Sequence, residues 1–276
     1  MNTKKNVKQA GRVPYWIGQP TSRAQRALTY LYKETRAFAV MTPLDRIYHI
    51  LTKRSDYPPW SLKESAGNRG YTFEASGREA LIALKLLGAL KPGDKMLEIG
   101  CGPGKMALTM IRDGVLYPQG EYFGTDLQQK CISWAQKNIS SKYPNCHFLH
   151  VNRQESGHYV FPFDDNIFDL SFLHSVFTHT PSQTTLHYLK EIARVLKEGG
   201  RCLATFILIT DHNKQYYNLT GKGISNFVQN GWAYEETFLR ELIDEASLKI
   251  ISPIHYGQRS SRPSGLMSQD LIVMEK

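Results

Sequence analysis

The stretch Met96-Leu97-Glu98-Ile99-Gly100-Cys101-Gly102-Pro103-Gly104 stands between the turn Lys91-Pro92-Gly93-Asp94 and a long apolar-periodic run. It reads as a short strand over 95–99, a glycine loop, and a helix over 104–116. Glycines at every second position let the backbone pass close to a ligand at a strand-to-helix turn, where a Cβ obstructs it. Asp126 ends the next apolar run, 121–127, where its carboxylate reaches ribose hydroxyls. The loop is not the dinucleotide pattern G-x-G-x-x-G, because Lys105 takes the place of the last glycine. No Gly-Lys-Ser/Thr follows, which excludes a Walker loop. Glu98, inside the strand, repels a pyrophosphate but accepts a hydrogen bond from an ammonium or holds the loop. The pattern therefore suits a zwitterionic nucleoside without phosphate.

Outward from this loop, helix and strand alternate. Helices are expected at 79–90, 128–142, 184–197 and 235–247, and strands at 147–151, 168–174, 201–209, 249–254 and 269–274. Such alternation indicates a parallel sheet with helices on both faces. Ahead of it, 22–41 has helical periodicity. Thr42 is expected to cap a second helix that starts at Pro43 and stops at Tyr57-Pro58-Pro59-Trp60. The polar stretch 61–71 reads as a linker. The organisation expected is a basic helical extension over 1–70, a candidate substrate cap, followed by one domain over 71–276.

The chain has 276 residues, 41% hydrophobic and 21% charged, which fits a soluble globular protein and argues against a disordered or collagen-like one. No apolar run reaches the length of a membrane span, and no signal-type stretch follows the basic N-terminus, so the expected location is cytoplasmic. Cys101, Cys131, Cys146 and Cys202 lack CxxC spacing, pointing to reduced thiols rather than a zinc ribbon or disulfide framework. The formal charge of +9 is concentrated: residues 1–60 hold 11 Lys/Arg against 3 Asp/Glu, and the rest hold 23 against 22. The basic segment is either a contact for phosphates and anionic substrates or a solvated helix surface. Because the body is nearly neutral, a nucleic-acid partner is not expected.

Glu98-Ile-Gly-Cys-Gly-Pro-Gly104 resembles the first motif of class I S-adenosylmethionine (SAM) dependent methyltransferases. Further motifs resemble the family in its order: Tyr122-Phe-Gly-Thr-Asp126-Leu127, Phe161-Pro-Phe-Asp-Asp-Asn-Ile-Phe-Asp169, and the helix and turn from His187 to Gly200-Arg201. Ser175-Val-Phe-Thr-His179 with Gln269-Asp270 resembles a bacterial small-molecule branch. The resemblance implies an α/β, Rossmann-like, seven-stranded, mostly parallel sheet sandwiched by helices. It implies SAM as cofactor, S-adenosylhomocysteine (SAH) as product, and no metal. Gly100, Cys101, Gly102 and Gly104 are then expected around the methionine end, with Glu98 orienting the loop. Asp126 is expected on the ribose and Leu127 on the adenine. Asn152 stands where many relatives carry an aspartate near the adenine amine, and His174 and Ser175 are expected beside the sulfur.

Methyl transfer is an in-line displacement that alignment and exclusion of water promote. An acceptor that must lose a proton also needs a base, and His179 is the first candidate, with His174 the second. The other reading of His179 is packing or hydrogen bonding in its loop, and that of His174 is a wall of the SAM pocket. Tyr71, Trp232, Tyr256 and Arg259 are candidate substrate contacts, the last two near an anionic group and Trp232 within a lid-like stretch over 216–234. Asp211-His212-Asn213 is similar to the acid–amide pair of metal-dependent enzymes, but no aspartate stands at the end of the fourth strand to complete it. The leading expectation is methylation of an oxygen or nitrogen on a small metabolite or natural-product intermediate. A macromolecular acceptor, a peptide or RNA docked on the basic arm, is the alternative. A SAM-binding subunit without activity is the third reading. The acceptor and the oligomeric state are left open.

Overall fold

In the computed structural model, the described residues are 38–51, 57–65, 73–116, 119–152, 159–209, 225–228, 231–258 and 267–276. In chain order the helices are α1 (Phe38–Leu51), α2 (Trp60–Ser65), α3 (Phe73–Leu86), α4 (Lys105–Arg112), α5 (Gln129–Ala135), α6 (Ser182–Val195) and α7 (Glu236–Glu245). The strands are β1 (Lys95–Ile99), β2 (Glu121–Asp126), β3 (Cys146–His150), β4 (Phe168–Leu173), β5 (Leu196–Phe206), β6 (Leu208–Ile209), β7 (Ser225–Val228), β8 (Gly231–Glu235), β9 (Lys249–Ile250) and β10 (Asp270–Glu275).

Seven strands form one sheet in the order β3-β2-β1-β4-β5-β10-β9. The first five run parallel, and β10 is antiparallel to both β5 and β9. The central strands are apolar on both faces, as expected where helices cover both sides of a parallel sheet. Along β1, Met96 joins a core layer with residues of α3, α4 and α5, whereas Leu97 and Ile99 join a second layer with residues of α6 and α7. The order reverses between β1 and β4, and a ligand crevice forms at the carboxyl ends of strands at such a switch point.

The remaining strands correct the expected pattern. One strand was expected over 201–209; the structure divides it at Ile207, whose carbonyl accepts from Tyr234 N–H at 2.8 Å. β6 thus leaves the main sheet and pairs with β8, which pairs with β7 to make a three-stranded sheet, so that the expected lid contributes β7 and most of β8. Asp270 stabilises this switch by accepting from Leu208 N–H at 2.7 Å. The strand expected over 249–254 ends at Ile250, ahead of Pro253, which has no N–H to give a ladder. The edge strand β3 is protected from its side. Gln136 and Ser140, on a π-helical turn after α5, donate to the carbonyls of Phe148 (2.8 Å) and Cys146 (2.7 Å).

The expected break at Thr42-Pro43 is absent, because α1 runs through Pro43. Pro43 is exposed, so the carbonyl that its missing N–H leaves unpaired can bond water. Asp45 joins α1 to α2: it accepts from the N–H of Trp60 at 2.7 Å and from Lys63 Nζ at 3.1 Å. Tyr57 packs edge-on against Phe73 of α3 and receives the Arg112 guanidinium over its ring at 4.0 Å. The described residues 38–51 and 57–65 fall within the compact unit Ala37–Lys276.

Candidate active site

The glycine loop is held at the carboxyl end of β1 by its backbone. The N–H groups of Gly100 and Cys101 both donate to Thr125 O, at 2.8 and 3.0 Å. Gly100, Gly102 and Gly104 have φ of 77°, 54° and 84°, the left-handed region that side chains disfavour. A Cβ at Gly100 would stand 2.6 Å from Val176 Cγ2, in the loop after β4. Gly104 serves packing instead, since a Cβ there would meet Ile139 Cδ1 at 2.6 Å and the Phe148 ring at 3.1 Å. The Cys101 thiol is likewise turned into the core, over Gly124, where burial pushes its pKa well up. Only the backbone of Cys101 is left to shape the loop.

Asp126 ties the two halves of the crevice together. Its Oδ2 accepts from Gly102 N–H at 2.7 Å and its Oδ1 from Gln128 N–H at 2.8 Å, at the start of α5. Each carboxylate oxygen has two acceptor sites, so a ribose hydroxyl can still donate to either. Leu127, the next residue, is 46% exposed although it is apolar and follows the buried Asp126. That is the surface an adenine ring requires. Asn152 is exposed just beyond β3, after Val151, whose N–H donates to Asp126 O at 3.1 Å.

Beneath the loop lies a charged group that the sequence reading did not assemble. Glu98 is buried and accepts a hydrogen bond from the Tyr122 hydroxyl. Burial raises its pKa to about 7, against the Tyr122 hydrogen bond and Lys105, which lower it. Lys105, the first residue of α4, is buried too; that burial lowers its pKa to about 8, with Glu98 and Glu79 acting in the opposite direction. Its Nζ lies 3.5 Å from His174 Nδ1. Burial, and then the Lys105 charge, depress the His174 imidazole to about 3, so it is neutral at physiological pH. One signal was available in the sequence: a lysine in the first turn of a helix opposes the helix dipole and needs an acid partner from elsewhere in the fold.

The other candidates are scattered. His179 is exposed at the end of a single 3₁₀ turn, Phe177–His179, after β4. Trp232 and Tyr256 pack, half-buried, on the core layer of α6 and α7. The Tyr256 hydroxyl donates to Glu236 Oε2 at 2.5 Å, and Glu236 also holds Arg240. Tyr71, Arg259 and Asp211-His212-Asn213 lie outside the described residues. A cleft of about 530 Å³ opens elsewhere, along the β3 edge between Phe123, Phe148 and Phe163, and none of the candidates lines it.

Comparison with known proteins bears on the fold and the family. Residues 96–200 match a family model described as a methyltransferase domain. A demethylmenaquinone methyltransferase of Bacillus cereus is 30% identical over 119 residues, 42% of this chain and 46% of the relative. The chain thus spans about half the length of the curated relatives it matches. The SAM-dependent methyltransferase of Methanosarcina mazei has the same fold, with a TM-score of 0.51 at 20% identity over 68% of this chain and 95% of that one. So does the [4+2]-cyclase SpnF, at 0.51 and 17% identity over 73% and 82%. The architecture alone therefore does not assign the reaction. Residues 96–200 thus resemble a methyltransferase domain in sequence, and the chain shares its fold with a SAM-dependent methyltransferase.

Proposed function

We propose, for a chain that carries a class I SAM-dependent methyltransferase domain, that it methylates an oxygen or nitrogen of a small metabolite or natural-product intermediate. The observation that supports the cofactor is the Asp126 carboxylate, bonded to Gly102 N–H at 2.7 Å with acceptor sites to spare, next to the exposed apolar Leu127. SAM, when bound, supplies an electrophilic methyl group on a sulfonium. Asp126 then takes the ribose, Leu127 covers the adenine, and the left-handed glycine loop admits the methionine end.

A proton leaving the acceptor needs a base in the loop after β4. His174 is disfavoured for that work, because desolvation and the neighbouring Lys105 lower its pKa to about 3. His179 is exposed in the same loop and takes the role of general base. A small acceptor is favoured by the near-neutral charge of the body and by the curated relative, whose name gives the metabolite demethylmenaquinone as acceptor.

The test is transfer of labelled methyl from SAM into a host extract, fractionated by size and treated with nuclease or protease. Label in the small, resistant fraction supports the proposal. Label in RNA or protein replaces it with a macromolecular acceptor. Calorimetry with SAH addresses the cofactor separately: no binding at millimolar concentration overturns the enzyme reading. His179→Ala is expected to lower the transfer rate with SAH affinity nearly unchanged. A fully active variant would remove the base from His179.

A further inference from the structure

The buried side chains of Thr205 and Gln269 close a ring of hydrogen bonds with the half-buried Ser175 where β4 and β5 end and β10 begins. Ser175 N–H donates to Thr205 Oγ1 at 2.8 Å, Thr205 Oγ1 donates to Gln269 Oε1 at 2.6 Å, and Gln269 Nε2 donates to Ser175 Oγ at 2.7 Å. Thr205 is fully buried and Gln269 nearly so. The partners lie 30, 64 and 94 residues apart, so only the folded sheet brings them together. Thr178 Oγ1 adds a fourth bond, to Ser175 O at 3.1 Å. The N–H, the carbonyl and the hydroxyl of Ser175 are thus all held.

Ser175 needs holding, because its φ is +62°, in the left-handed region where a Cβ is strained. Such a conformation persists when the surroundings over-determine it, and such residues cluster at functional sites. Here the turn sets the residues on either side. His174 is placed with its Nδ1 3.5 Å from Lys105 Nζ. Val176 is laid against the glycine loop so closely that a Cβ at Gly100 would come within 2.6 Å of it. The 3₁₀ turn with His179 follows directly.

We propose that Gln269 is a positioning residue for methyl transfer: with Thr205 it holds Ser175 in the left-handed turn that sets Val176 against the glycine loop and His174 beside Lys105. This rests on the methyltransferase reading above. It gives a function to the Gln269-Asp270 pair, which lies far from the glycine loop in sequence. Asp270 supports the same corner by accepting from Gly257 N–H and Leu208 N–H, both at 2.7 Å.

The test pairs Gln269→Leu, which removes both hydrogen bonds at similar volume, with Ser175→Gly, which adopts a positive φ without help. Three quantities are measured on the full chain: the rate of label transfer into extract at saturating SAM, SAH affinity, and amide hydrogen exchange over 174–178. Gln269→Leu is expected to lower the rate roughly tenfold, change SAH affinity less than about threefold, and speed exchange over 175–178. In the Ser175→Gly background the same change should alter rate and exchange by less than about twofold, because the turn no longer needs the ring.

Wild-type rate and exchange in Gln269→Leu, joint loss of rate and SAH affinity, or equal effects in both backgrounds would each overturn the proposal. If the extract holds no acceptor, exchange in the SAH complex decides, and unchanged exchange counts against it. A wild-type chain that binds no SAH instead overturns the methyltransferase reading, and the proposal falls with it.

Discussion

The ammonium of Lys105 stands 3.5 Å from Nδ1 of His174, joining the first residue of α4 to the residue after β4. A protonated imidazole there would face a buried like charge, so His174 is kept neutral, and its acid-base behaviour is a direct readout of the packing around it.

His174 should stay neutral from pH 8 down to at least pH 5, since burial and Lys105 lower its pKa to about 3 from an ordinary 6.5. Labelled-histidine NMR tests this, and a midpoint near the ordinary value would contradict the buried contact. The sign for stability follows. Between about 6.5 and 3 the unfolded chain binds more protons at this site, so stability falls as pH falls through that window. His174→Asn should lessen that loss in urea titrations.

Glu98 gives a slope of opposite sign. Its pKa is raised from 4.5 to about 7, chiefly by burial, so between those values the folded state binds more protons and stability falls as pH rises. Glu98→Gln keeps an acceptor for Tyr122 and removes the titration. The variant's stability should therefore change less than the wild type's between pH 5 and 7. An unchanged slope would mean that Glu98 ionises normally.

Asp126→Ala should leave the N–H groups of Gly102 and Gln128 without their partner. A buried unsatisfied donor costs about 1–3 kcal/mol. SAH affinity should fall by at least about tenfold as well, since the ribose loses its acceptor. An alanine variant that binds SAH as tightly as the wild type would take Asp126 out of the cofactor site.

Gly104→Ala and Gly100→Ala should differ in kind. Both incur left-handed strain of about 1–2 kcal/mol. At Gly104 the new methyl also enters the core at Ile139 and Phe148, and overpacking of this sort costs about 1–3 kcal/mol. The larger fall in Tm is expected there. At Gly100 the methyl pushes Val176 and its loop, so loss of SAH affinity should exceed what the change in Tm suggests. Equal ratios of the two effects would show that both glycines serve packing alone.

The glycine loop and Asp126 were legible because local rules act on neighbours. Glycines at 100, 102 and 104 mark a turn that needs positive φ, and the acid at 126 ends an apolar run. The parallel core was legible for the same reason, since strands buried on both faces are mostly apolar. Pro43 misled the reading, because a proline marks a helix start only when the preceding turn is not already helical. Ile207 gave no signal of a strand switching sheets, as its apolar neighbours fit either pairing.

What the sequence determined by itself is therefore the alternation of strand and helix, the place of the glycine loop and, by resemblance, the class of cofactor, while the ends of several elements were misplaced. The tertiary structure alone decided that Lys105 meets Glu98 and His174, and that Gln269 meets Ser175 across 94 residues. Contacts between side chains distant in the chain depend on strand order and register, which no local pattern contains. Burial, which moves Glu98 to about 7 and His174 to about 3, exists only once those contacts have formed.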